Sequence, residues 1–494
     1  MRIRVVGAGT MGRGIAQWAV TAGHTVELAD ARPEAVPEAV AFVRSMLRRA
    51  AEKGRPAPAD ADRALEALVE LDSPYAAGSG AAPELVIEAV VEDLDVKAEL
   101  FTGLERVLPA STVFATNTSS LSVTRLGARL TDPGRLAGLH FFNPVPLMRL
   151  AEVVPGAATR QEVTALLRSL VEGTGHRAVT VADTPGFLVN HAGRGLVTEA
   201  LALLEESVAG PAALDRVARD VLGLRMGPFE LMDLTGLDVT ASVMETVWTG
   251  FCHADRLRPS YLTANRVAAG LHGRKTGAGF YTYGDGAAGA APPEPRVEGG
   301  DPARPLTVLG DDPAGLATTD RPSGSALVLV PTWGTTVAAA VAGSGLPADR
   351  TLGVDPLSLG TPRRVLAVTA ATGRAAVRDA VAVLGRDGHA VTVVRDTAGS
   401  PAQRLLASVV NVATGIAERG IADPDDIDTA VTLGLGYPRG PLAWGDHVGP
   451  ARMLALLRAL HEETGDPRYR PTPWLTHRAA LGLPLTTPMP PVPE

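Results

Sequence analysis

Two residues of this chain have the types and spacing for proton chemistry. His140 lies in the run Gly138-Leu-His-Phe-Phe-Asn-Pro144, and Glu152 follows between apolar neighbours in Leu150-Ala-Glu-Val-Val154. Imidazole is the side chain that titrates near neutrality, at about 6.5 when unperturbed. A carboxylate set in an apolar strand is costly without a partner. Pairing answers both facts: Glu152 would hold one tautomer, and His140 would act as general acid and base. The same residues also suit a core histidine with a satisfied hydrogen bond and a surface glutamate at a strand end.

A second cluster belongs to an anion-binding turn. Arg2 to Val6 is a β-branched apolar run, and Gly7-Ala8-Gly9-Thr10-Met11-Gly12 follows at once. Helical spacing from Gly14 to Ala22 and a strand over 25–29 ending in Asp30 complete the pattern. Gly7 permits the tight turn, Gly9 lets backbone approach a pyrophosphate, and Gly12 lets helix pack on strand. Free N–H groups and the dipole at the helix start favour the anion. An acid about 20 residues on accepts ribose hydroxyls and repels a 2′-phosphate, so Asp30 favours NAD over NADP. A glycine-rich loop of some other α/β domain is the competing reading.

Other polar residues sit where buried strands end. Glu92 and Lys97 follow a strand over 84–90, and Asn117-Thr-Ser119-Ser120 follow one over 112–116. Carboxyl ends of strands in open α/β sheets are where ligands bind, although Ser119 or Ser120 could equally cap the next helix. Helices are expected over 33–53 and 60–71. Arg44, Arg48, Arg49 and Lys53 form a basic stripe on the first, either a solvated face or a clamp for a phosphate-bearing handle. Two further strands, 136–141 and 150–154, deliver His140 and Glu152.

The composition suits a soluble α/β protein of several domains. The chain has 494 residues, 46% of them hydrophobic and 20% charged. A net charge of −8 gives no reason to expect nucleic acid as a partner. No apolar run approaches the roughly 20 residues that span a bilayer. Cys252 is the single cysteine, which excludes internal disulfides and cysteine metal cages. The chain opens directly on a strand with no leader pattern, and a cytoplasmic location is the expectation. Of 46 basic residues only Lys53, Lys97 and Lys275 are lysine.

Taken together, Gly7–Gly12, Glu88-Ala-Val-Val-Glu92, Asn117-Thr-Ser-Ser-Leu, His140-Phe-Phe-Asn-Pro, Asp183-Thr-Pro-Gly-Phe-Leu-Val-Asn190 and Gly227-Pro-Phe-Glu-Leu closely resemble the L-3-hydroxyacyl-CoA dehydrogenases. The resemblance runs from residue 1 to about 285. It implies a Rossmann-type doubly wound domain over 1–183 and an all-helical domain over 184–283, with the active site in the cleft between them. It implies that His140 is the base and Glu152 its partner, and that Ser119 and Asn190 hold the 3-oxygen of the substrate. Glu92, Lys97, Ser119, Asn143 and Lys275 match positions near the nicotinamide half of NAD. Lys53 matches a position on the coenzyme A phosphates, with Ser119 also on the substrate. No metal is implied. All three lysines thus fall on cofactor or substrate positions, where a compact ammonium is not interchangeable with guanidinium.

Beyond residue 283 the reading is a linker over 284–325, a small degenerate α/β unit over 326–395 without GxGxxG, and a second helical domain over 396–494. The last repeats the first helical domain at an offset of 213: Asp183-Thr-Pro-Gly returns as Asp396-Thr-Ala-Gly, Asp215 as Asp428, Gly227-Pro as Gly440-Pro, and Asp233 as Asp446. Gln403 replaces Asn190 in the repeat. The two copies are expected to pair within one chain in place of a homodimer contact. This long form resembles the 3-hydroxyadipyl-CoA and 3-hydroxybutyryl-CoA dehydrogenases of bacterial aromatic catabolism. A distal carboxylate would want an arginine, for which Arg194 is a candidate, or else an ordinary surface or interdomain residue. The alternatives are a β-hydroxyacid dehydrogenase acting without coenzyme A, whose catalytic lysine could only be Lys275, and a non-catalytic binding or structural protein of the same fold.

Overall fold

The computed structural model describes residues 1–54, 58–284, 292–295, 297–312, 314–319 and 324–490. They divide into two units, Met1–Val189 with Gly420–Leu435, and Asn190–Arg419 with Gly436–Glu494.

The first unit contains β1 (Arg2–Val6), α1 (Thr10–Thr21), β2 (Thr25–Ala29), α2 (Ala35–Glu52), α3 (Pro58–Glu66), β3 (Leu68–Glu70), β4 (Leu85–Glu88), α4 (Leu94–Val107), β5 (Val113–Thr116), α5 (Val123–Gly127), β6 (Leu136–Phe141), β7 (Leu150–Pro155), α6 (Gln161–Gly173) and β8 (Arg177–Thr180). The strands form one sheet in the order β3-β2-β1-β4-β5-β6-β7-β8. Only the β6–β7 pair is antiparallel, and its register sets His140 opposite Glu152. Strands β1, β4 and β6 are almost wholly buried, as expected where helices cover both faces of a parallel sheet. The order reverses beside β1, so the ends of β1 and β4 open the crevice that such sheets use for ligands. The helix expected over 60–71 stops at Glu66, because Leu68–Glu70 pairs with β2 as an edge strand.

The second unit continues with α7 (Val189–Glu205), α8 (Pro211–Asp220), α9 (Pro228–Thr235), α10 (Leu237–Gly250) and α11 (Tyr261–Ala268). Gly236, at φ +95°, separates α9 from α10. Then come β9 (Leu306–Val308), β10 (Leu327–Pro331), α12 (Val337–Ser344), β11 (Thr351–Val354), β12 (Arg363–Val368), α13 (Arg374–Gly385), β13 (Ala390–Arg395) and α14 (Pro401–Glu418). Helix α15 (Pro424–Leu435) belongs to the first unit, and α16 (Pro441–Val448), α17 (Pro450–Thr464) and α18 (Pro473–Leu481) close the second.

Three boundaries differ from the sequence expectation. The stretch 284–325 is not a bare linker: β9 lies within it and pairs with β10, and Arg363 and Arg216 clasp Glu294 at 2.8 and 3.2 Å. Residues 285–291 and 320–323 of that stretch lie outside the described residues. The second sheet runs β13-β12-β11-β10-β9, with β11–β12 its only antiparallel pair. That repeats β8-β7-β6-β5-β4, so the duplication begins well before residue 396. Finally, α15 leaves its own repeat and covers the β8 edge, where Asp426 meets Arg177 at 3.1 Å and Ile421 O accepts Ala182 N–H.

The two helical copies meet along α7 and α14. A Cβ on Gly195 would stand 2.9 Å from Val409 Cα, so the backbones approach as closely as glycine permits. Beside this contact Glu199, fully buried, takes Arg404 Nε at 2.6 Å and the Tyr469 hydroxyl at 2.7 Å.

Candidate active site

The glycine loop is built as its spacing demands. Gly7 has φ +111°, and a Cβ there would strike Ala89 O, while one on Gly12 would strike Gly7 O. Gly9 faces open space and is the N-cap of α1, which has no side-chain cap and no acid in its first turn. Ala8, Thr10 and Met11 fill the turn between them. A helix start of this kind suits a pyrophosphate. Asp30, half-buried at the end of β2, accepts Ala8 N–H at 2.7 Å and Arg32 N–H at 2.9 Å. It braces the loop and stays at the surface where ribose hydroxyls would reach it. These residues fit NAD: they would hold its pyrophosphate and adenosine ribose.

After β4 and β5 comes a buried ion-pair network that the sequence only half revealed. Lys97, expected near the nicotinamide, has a buried ammonium 2.6 Å from Glu88 and 3.3 Å from Glu92. Glu88, in an otherwise apolar strand, also accepts the Thr116 hydroxyl at 2.6 Å and Val90 N–H. Burial pushes the Glu88 carboxyl up, against Lys97 and these donors. Burial also pushes Glu92 upward, but Lys97, Thr118, Ser119 and Ser120 outweigh it and hold the group below the usual range. Glu92 Oε1 gathers the N–H of Ser119 and Ser120 and the Thr118 hydroxyl. Lys97 therefore acts through Glu92 on the 118–120 turn. The signal for Glu88 was legible: a lone acid in Leu85-Val-Ile-Glu88 with a lysine one helix away.

His140 Nδ1 lies 2.6 Å from Glu152 Oε2, and Glu152 is fully buried. The other oxygen of Glu152 accepts Leu188 N–H at 3.0 Å and Val189 N–H at 2.8 Å, the opening of α7. A helix start favours negative charge, so the carboxylate is stabilised by the helix that it caps. Gly186 and Phe187, at φ +74° and +48°, make the left-handed turn that aims those N–H groups. A bulky residue at positive φ is strained and persists where function or packing demands it. Phe142 and Phe187 flank the imidazole at 4.5 and 5.9 Å. Asn117 Oδ1 accepts Phe141 N–H at 2.8 Å and ties the 117–120 turn to the strand bearing His140. Asp183 receives Ser122 and the N–H groups of Val123 and Thr124, capping α5. Asn117, Asp183 and Phe187 were in recognised motifs, but their bonds were not foreseen.

Four expected residues make none of the hydrogen bonds described above. Asn143 is exposed just after β6. Lys53 is exposed at the end of α2, with Arg44, Arg48 and Arg49 exposed along the same helix. Asn190 is half-buried in the first turn of α7, directly after Val189. Lys275 pairs with Asp238 at 2.6 Å within the second unit. No group of metal-ligating side chains occurs among the described residues.

A dinucleotide loop and a histidine paired to a buried acid in one doubly wound unit define a nicotinamide-dependent dehydrogenase. Residues 2–184 match the NAD binding domain of 3-hydroxyacyl-CoA dehydrogenase, and residues 186–283 and 399–485 both match its C-terminal domain. The 3-hydroxyadipyl-CoA dehydrogenase of Escherichia coli (strain K12) is 36% identical over 97% of each chain. A probable 3-hydroxybutyryl-CoA dehydrogenase of Bacillus subtilis (strain 168) is 38% identical over 57% of this chain and 97% of its own. The crystal structure of 3-hydroxybutyryl-CoA dehydrogenase from E. coli K12 superposes with a TM-score of 0.85, at 35% identity, over 97% of this chain and 98% of that one. The chain belongs to the 3-hydroxyacyl-CoA dehydrogenase family, enzymes that use NAD. Among the described residues no helix is long and apolar enough to cross a membrane.

Proposed function

We propose that His140 is the base of this dehydrogenase and Glu152 its partner, in the oxidation of an L-3-hydroxyacyl-CoA to the 3-ketoacyl-CoA. The observation that carries this reading is the 2.6 Å contact between His140 Nδ1 and a buried carboxylate. With Nδ1 engaged, Nε2 takes the hydroxyl proton as the C3–O bond becomes a carbonyl, and Glu152 stabilises the imidazolium. Bound NAD⁺ supplies the hydride acceptor, so one proton and one hydride leave the alcohol. Ser119 and Asn190 hold the 3-oxygen. Glu92, Lys97, Asn143 and Lys275 serve the nicotinamide half, Lys97 through Glu92. The exposed stripe ending at Lys53 takes the coenzyme A phosphates.

The acyl group is 3-hydroxyadipyl or 3-hydroxybutyryl, the substrates named for the relatives above. The α7–α14 contact serves in one chain as the two-fold contact that would otherwise join two chains. An exposed free thiol, Cys252, suits a reducing compartment such as the cytoplasm.

The test is His140→Ala assayed by NADH absorbance with 3-hydroxybutyryl-CoA. Turnover should fall by about 10²–10⁴-fold while NADH binding persists. Wild-type turnover in the variant would remove His140 from the mechanism.

A further inference from the structure

Helix α7 carries a cation that nothing in the chemistry above uses. Arg194 is 9% exposed, its Nε donates to Asn190 O at 3.0 Å, and its Nη1 is buried without a hydrogen-bond partner. Burial brings the guanidinium down to about 10, and the neighbouring group that opposes this is Tyr437. Tyr437, itself buried, is pushed up by burial with Arg194 pulling the other way. The adjacent His191 is held near 3 by burial and by Arg419, Arg194 and Arg256, so it stays neutral. A buried guanidinium with an unpaired Nη1, coupled electrostatically to a buried phenol, is an arrangement completed by an anion.

We propose that Arg194, with the Tyr437 hydroxyl, binds the distal carboxylate of a dicarboxylic 3-hydroxyacyl group and so selects that substrate class. This rests on the assignment of Asn190 to the 3-oxygen. Four residues along a helix rise about 6 Å, and they return to the same face. From C3 to C6 of an extended chain is three bonds, about 4 Å, and the carboxylate with its hydrogen bond spans the remainder. Because Arg194 Nε is bonded to Asn190 O at 3.0 Å, the guanidinium stays within one helical turn of Asn190, a reach that a six-carbon diacid spans. A four-carbon acyl group ends in a methyl and would leave Nη1 unpaired.

The experiment compares 3-hydroxyadipyl-CoA with 3-hydroxyhexanoyl-CoA, of equal length without the acid, on the full chain. Wild type should favour the diacid at least tenfold in kcat/KM. Arg194→Met should lose about 100-fold on the diacid, chiefly through KM, as for a buried charged hydrogen bond. It should stay within threefold of wild type on the hexanoyl ester, and Arg194→Lys should lie between. Equal loss on both esters would make Arg194 structural and overturn the proposal. If Arg194→Met fails to fold, Tyr437→Phe and the wild-type ratio still decide. Turnover of both esters without preference refutes the Arg194 assignment alone. A wild type that oxidises neither overturns the substrate reading beneath it.

Discussion

The strand pair β6–β7 and its counterpart β11–β12 share a backbone and part company in their polar groups. In the first, His140 stands opposite Glu152. In the second, Val365 occupies the place of Glu152, and Asp355 donates its N–H to Val365 O from the position opposite. A strict offset of 213 would put Gly353 there, so the register has moved by two residues. The caps survive: Asp396 receives Val337 and Ala338 N–H as Asp183 receives Val123 and Thr124. So do the tail clamps, Asp233 on Phe280 and Tyr281, and Asp446 on Leu485 and Thr486.

What differs is where the hydrogen bonds end. Asp355, buried, takes the Ser400 hydroxyl and Gln403 Nε2, while Gln403 also donates to Thr332 O and accepts Gly334 N–H. Burial pushes the Asp355 carboxyl up against these donors. Gln403 stands at the place of Asn190 and Thr332 at that of Ser119, so the second copy has turned its site inward and satisfied it. In the first copy Glu152 is satisfied by His140 and α7, and the proposed mechanism gives Nε2 of the imidazole to the substrate. The repeated elements are those that hold the fold, and the elements that changed are those assigned to chemistry.

The sharpest way to break this contrast is at the cofactor. With no glycine loop in the second copy, titration calorimetry should find one NADH per chain. Gly12→Val, which drives a side chain into Gly7 O, should abolish binding altogether. Residual binding at half the stoichiometry would mean a second working site. A smaller effect is expected in the inward-turned cluster. Gln403→Ala leaves Asp355 and Gly334 N–H short of partners and should cost about 1–3 kcal/mol in denaturant unfolding. Turnover of the folded variant should stay within about twofold, because no substrate group is assigned there.

The legible parts of the molecule were local. The glycine loop, Asp30, and the strands bearing His140 and Glu152 each announce themselves within a few residues, through period, turn chemistry or an acid in an apolar run. The illegible parts depend on partners distant in sequence. Lys97 is legible as a site residue, but its ion pairs with Glu88 and Glu92 are not. The break at Gly236 follows from its positive φ, and β9 exists because β10 offers it an edge. Helix α15 looks like part of its own repeat, and only the ion pairs at Arg177 reveal that it covers the first sheet. The half-Rossmann duplication over 306–395 escaped notice because its site residues had been replaced and its register shifted.

The most direct test sets the two copies side by side. Glu152→Gln and Asp355→Asn each alter one buried carboxyl, the first in β7 and the second just after β11. Steady-state turnover should fall about 100-fold or more for Glu152→Gln, with NADH binding kept, and should hold within about twofold for Asp355→Asn. Undiminished turnover in Glu152→Gln, or an equal loss in Asp355→Asn, would contradict the division of one copy for chemistry and one for structure.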